Sequence, residues 1–89
     1  MPERPRSALT ILRRRQVESE SGYPRSTLYY RIAQRLWPKP INIGARAVGW
    51  PASEVDAMNA DRISGKSDDA IREIVKALER ARATADALL

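Results

Sequence analysis

The sequence predicts a mainly α fold with a small β-hairpin, on three observations. Glycine and proline divide residues 13–50 into a short helix, a turn, a second helix and a hairpin of alternating residues. Apolar residues recur at 3–4 spacing from Ile71 to Leu88. An apolar content of 43% in 89 residues supports one small core but not two.

Residues 1–10 carry two prolines, two arginines and little apolar content, and are expected to form a flexible basic arm. From Leu12 the pattern turns helical, with Leu12 and Val17 as anchors. Gly22 can take positive φ and so end this first helix. The second helix is expected to start at Pro24–Ser26, because proline suits the first helical position, and to run over about 25–36. Leu28, Ile32 and Leu36 would form its buried stripe, with the Arg35 stem along the edge and Ser26, Tyr30 and Gln34 pointing the other way. Trp37-Pro38 ends it, since proline cannot continue a helix and restricts the residue before it.

Residues 41–50 read as a hairpin with its tip at Gly44-Ala45-Arg46. Ile41 and Ile43 alternate with Asn42, and Val48 and Trp50 with Gly49. This predicts one apolar face on the core and leaves Asn42 and Arg46 in solvent. A two-stranded hairpin is marginal alone, so it must pack on the helices. Ser53-Glu54-Val55-Asp56 resembles a capping box that opens a third helix, with Val55, Met58 and Ile63 facing in and Gly65 ending it. Ser67-Asp68-Asp69 signals the start of a fourth helix, a cap residue followed by carboxylates that complement the dipole. That helix should reach about Ala87, with Ile71, Ile74, Leu78, Ala81, Ala85 and Leu88 on one stripe.

Charge narrows the function. Residues 1–50 hold ten Lys/Arg against three Glu, a balance of +7, and residues 51–89 hold six against eight, a balance of −2. The first half therefore attracts phosphate. With no Cys and no His, thiolate metal sites and the usual neutral-pH base are missing, and neither an enzyme nor a cofactor is expected. Asp68, Asp69 and Glu73 form an acidic cluster, but cap and dipole account for the first two, and no metal is expected. No apolar run approaches the roughly 20 residues that span a bilayer, and the start lacks the apolar region of a signal peptide. A bacterial cytoplasmic location without membrane contact is expected.

The start of the second helix has the groups for phosphate and base contact. Its unpaired N–H groups favour an anion. Arg25 and Arg31 add charge, Ser26 and Thr27 add hydroxyls, and Tyr30 adds an outward phenol. Lys39 and Arg46 bracket the hairpin, where an arginine can follow a phosphate strand or enter a narrow minor groove. Arg13 opens a basic run, Arg13-Arg14-Arg15, that opposes the dipole of its own helix and so argues for an external anion. The C-terminal stripe (Ile71, Ile74, Leu78, Leu88) has two readings: it docks on its own domain, or it pairs with a second copy as a homodimer or higher oligomer.

Taken together, the ordered set resembles the AlpA family of small phage and mobile-element regulators, which belong with the excisionases and MerR-like winged-helix proteins. The residues that carry the resemblance are Leu12-Arg13 before Val17, then Gly22, then Arg25-Ser26-Thr27-Leu28-Tyr29. Trp37-Pro38-Lys39-Pro40, Ile43-Gly44, Arg46-Ala47-Val48-Gly49-Trp50 and Ser53-Glu54-Val55 follow, so that the likeness spans Leu12 to about Ile63. Pro24 stands where the family usually has a capping Ser, and Glu20 where it is often apolar. The resemblance implies a winged helix-turn-helix over residues 11–64. It does not explain the extra C-terminal helix over 65–89, which its own apolar stripe makes a candidate oligomerisation element.

It further implies a sequence-specific regulator on double-stranded DNA. The second helix would read the major groove, with Arg25, Ser26 and Thr27 on DNA, and the 41–50 wing would set Arg46 on the backbone or minor groove. Two alternatives stay open: an excisionase that bends DNA, and an adaptor that contacts an integrase or RNA polymerase through the C-terminal helix.

Overall fold

In the computed structural model, Ser7 and residues 9–89 are described. The order is β1 (Ile11–Arg13), α1 (Arg14–Ser21), α2 (Arg25–Ala33), β2 (Ile41–Gly44), β3 (Ala47–Pro51), α3 (Ala52–Ile63) and α4 (Asp68–Ala81), closed by a 3-10 helix (Arg82–Leu88). The expected mainly α fold is present: a helix-turn-helix, a hairpin wing and an added C-terminal helix.

The sheet has one strand more than expected. Leu12 does not open a helix but sits in β1, antiparallel to β3, with Leu12 opposite Trp50 and Arg13 opposite Gly49. The Ala52 N–H extends this ladder by donating to the Thr10 carbonyl at 2.7 Å. Most of the expected arm, Met1–Arg6 and Ala8, lies outside the described residues. The strand order is β1-β3-β2, so the wing is bonded to the segment that enters α1.

The Gln16 side chain accepts from the Arg13 backbone N–H (2.8 Å) at the start of α1. Gly22 ends that helix at φ +77°, as its lack of a Cβ allows. Pro24 stands just before α2, and its carbonyl accepts from the Leu28 N–H. The end of α2 comes at Ala33, three residues before the expected stop at Leu36. The chain leaves through a Schellman turn. Leu36 N–H donates to the Arg31 carbonyl and Arg35 N–H to the Ile32 carbonyl, with Arg35 left-handed at φ +62°. Leu36 still reaches the core, but from this turn, followed by the buried Trp37 and Pro38.

The hairpin forms as expected, turning at Ala45-Arg46 with a bulge between Asn42 and Gly44. Its faces differ from expectation. Ile41 pairs with Gly49, so Ile41 and Ile43 lie on the side opposite Val48 and Trp50. Trp50 and Val48 face the core with Leu12, while Ile11, Ile41 and Ile43 form an outer apolar face.

The third helix opens at Ala52 with Pro51 at the cap and no side-chain cap bond, so the capping box at Ser53 does not form. Glu54, in the first turn, forms an ion pair with Arg82. Val55 and Met58 are buried as expected, but Ile63 is 87% exposed, past the last turn that packs. Gly65, at φ +76°, ends the helix as expected.

Ser67 caps α4, its hydroxyl accepting from the Ala70 N–H at 3.2 Å. This helix stops at Ala81 rather than Ala87. Beyond it the backbone tightens to 3-10 and breaks at Thr84 (φ −114°, ψ 21°), whose hydroxyl bonds the Ala81 carbonyl. Ile71 and Val75 enter the chain's own core, with Ile74 and Leu78 packed against it. Leu88 is exposed. The core is completed by Leu12, Val17, Leu28, Leu36, Trp37, Trp50, Ala52, Val55 and Met58.

Candidate nucleic-acid interface

Leu28 is fully buried and fixes which way α2 faces. On the opposite side Ser26 is exposed and Tyr30 is 64% exposed, and Arg25 is exposed on the flank. No side chain caps α2, so the Ser26 hydroxyl is not committed to closing the helix end. Pro24, Arg25, Ser26 and Tyr29 line a shallow hollow at that end. Thr27 is half-buried. Arg31 is also half-buried, and its guanidinium carbon lies 5.3 Å from the centre of the Tyr23 ring.

A second group of cations gathers where the wing meets α1. Arg13, Arg14, Arg15 and Arg46 surround one hollow, floored by Val48. Antiparallel pairing of β1 with β3 brings Arg13 there, and the hairpin turn brings Arg46. Arg14 is engaged by Glu18 one turn along. Among the described residues Arg13, Arg15 and Arg46 have no carboxylate partner, so their charge is open to an external anion. Arg46 holds left-handed backbone at φ +58°.

Lys39 is placed elsewhere. Its N–H donates to Glu79 at 2.9 Å and its carbonyl accepts from Arg82 at 2.7 Å, which puts it beside the C-terminal helix.

Several positioning contacts were not visible in the sequence. Arg62 donates to the Ser21 carbonyl at 2.7 Å and lies 4.0 Å from the Tyr23 ring centre. Asn59 donates to the Glu20 carbonyl at 3.0 Å. Together they satisfy carbonyls that the end of α1 leaves open, and so fix the turn before α2. Tyr23 meets Trp37 edge-on at 5.8 Å. No local pattern marks these contacts, because each joins residues far apart in the chain.

A family model described as the prophage CP4-57 regulatory protein (AlpA) matches residues 10–63. The chain belongs to the AlpA family. The AlpA match takes in β1 through α3, hence the wing, α2 and both hollows described above, and stops before α4. A curated relative, uncharacterized protein ORF88 of Enterobacteria phage P4, is 38% identical over 56 residues, covering 63% of this AlpA-family chain and 64% of its own length. The chain thus spans under two thirds of that relative. No solved structure matches it. No helix among the described residues is long and apolar enough to cross a membrane.

Proposed function

We propose that this AlpA-family chain is a sequence-specific regulator that binds duplex DNA in the bacterial cytoplasm and serves a phage or mobile element. In this reading α2 enters the major groove with Arg25, Ser26, Thr27 and Tyr30, and the β2–β3 wing sets Arg46 on the backbone or in the minor groove. The observation that carries it is the grouping of Arg13, Arg15 and Arg46, without a carboxylate partner among the described residues, beside the helix-turn-helix. Arg31 would add positive potential from its place over Tyr23. Such a binder works by positioning and charge rather than by bond making, and the reading assigns no catalytic residue.

The test is fluorescence anisotropy of the full chain on a duplex pool of random sequence, followed by selection of its preferred sites. Binding that weakens steeply with salt, and a reproducible selected sequence, are expected. No binding at low salt would sink the reading.

A second reading is favoured by an apolar groove of about 510 Å³ between the outer sheet face and the C-terminal end, with Ile11, Ile41, Leu78 and Leu88 in its walls. Here the chain would act as an adaptor to an integrase or polymerase, or pair with its own copy. Sedimentation of the full chain against Leu88→Asp checks the pairing, and identical monomers would remove it.

A further inference from the structure

Two residues other than glycine hold left-handed backbone among the described residues, and both are arginines: Arg35 at φ +62° and Arg46 at φ +58°. Glycine or asparagine is the usual occupant of such a position, because a Cβ is disfavoured there. Each arginine sits in a separate cationic hollow. The hollow of Arg46 is the one already described.

The hollow of Arg35 lies between the end of α2 and the side of α4, with Trp37 in its wall and Lys39, Arg72 and Lys76 around it. Glu79 is the carboxylate in its lining; it accepts from the Lys39 backbone N–H and keeps its charge, so the lining holds four cations against one anion. Arg72 also donates to the Gln34 carbonyl at 3.0 Å, which fastens α4 to the end of α2. The remaining pairings are loose: Arg72 with Asp69 at 3.4 Å, and Lys76 with Glu73 at 3.5 Å. Asp69 and Glu73 are 97% and 74% exposed, and pairs of that kind hold a cation weakly. Arg35 and Lys39 have no side-chain partner among the described residues.

We propose that this hollow is a second phosphate-binding site for the same duplex, formed by Arg35 and Lys39 together with Arg72 and Lys76 of α4. The inference rests on the DNA-binding reading and gives α4, which lies beyond the family match, a direct part in it. Four cations around one concavity concentrate positive potential where a phosphodiester strand leaving α2 would pass. Placing an arginine rather than a glycine at the exit of α2 costs the fold and supplies charge to the site.

The experiment is a salt titration of binding to the random duplex pool, using the full chain and three variants. Arg35→Gly removes the cation and gives the turn its favoured residue. Lys76→Ala removes a second cation. Arg80→Ala removes an exposed cation of the same helix that lies outside the hollow. Arg35→Gly and Lys76→Ala should each make the log–log slope shallower by about 0.9. The melting midpoint of Arg35→Gly should be unchanged or higher, and Arg80→Ala should keep the parent slope. If the parent binds and the first two variants keep its slope, the second site is wrong while DNA binding stands. An equal loss in Arg80→Ala would reduce the effect to net charge and overturn the site. Failure of the parent to bind at low salt would overturn both.

Discussion

The Arg82 guanidinium grips the Glu54 carboxylate with two bonds, Nε to Oε2 at 2.8 Å and Nη2 to Oε1 at 2.6 Å. The same Nη2 donates to the Lys39 carbonyl. One side chain thus ties the C-terminal end to the start of α3 and to the segment leading into the wing. Both partners are largely buried, Glu54 with only 6% of its side chain exposed. Removing one partner of such a pair leaves the other charge buried and uncompensated. Arg82→Ala should destabilise the chain by about 3 kcal/mol. In a melt, Glu54→Gln combined with Arg82→Met should lose clearly less than Arg82→Ala alone. Equal losses would mean that packing, not the stranded charge, sets the cost.

Gly49 faces Arg13 where β3 packs tightly against β1. A Cβ there would lie 2.5 Å from Ile11 Cγ2 and 3.0 Å from the Leu12 carbonyl oxygen. The isoleucine tip can swing aside but the backbone oxygen cannot. Gly49→Ala should therefore cost roughly 1–3 kcal/mol by overpacking, read from urea unfolding, and should increase hydrogen exchange at Ala52. An unperturbed Ala52 amide would show that β1 yields without leaving the sheet.

The proposed division of labour on DNA separates two kinds of variant. Arg46→Ala should weaken binding to every duplex and make the salt slope shallower by about 0.9. Tyr30→Ala and Ser26→Ala should narrow the gap between the selected sequence and random duplex, by about 1–3 kcal/mol for a side chain that reads a base edge. Parallel losses on both duplexes for all three variants would take the reader role away from α2.

What was legible in the sequence was local chemistry. Gly22, Gly65 and Ser67 end or begin helices where they were expected to, because a glycine at positive φ and a serine cap act within a few residues. The hairpin alternation was also local, yet its faces were misassigned. Alternation fixes the sides within one strand, while the turn and bulge fix how the strands match, and a slip of one residue exchanges the faces. Three residues are too few for β1 to show a period, and its evidence lies across the sheet in Trp50. Arg35 concealed the end of α2, since the turn there usually advertises itself with glycine. The candidate site divides in the same way. Ser26 and Tyr30 are outward because the Leu28 stripe is inward, which spacing alone gives. The gathering of Arg13 with Arg46, and of Lys39 with α4, required the tertiary fold.

The Trp50 indole N–H, buried and donated to the Pro38 carbonyl at 2.8 Å, ties the strand of the wing to the segment that leaves α2. Pro38 is itself fully buried, so this connection has little slack. The wing and the second helix therefore cannot be set independently of each other. Their separation is preorganised, and a partner that touched both would not have to supply the entropy of ordering them. The spacing is a ruler held inside the protein.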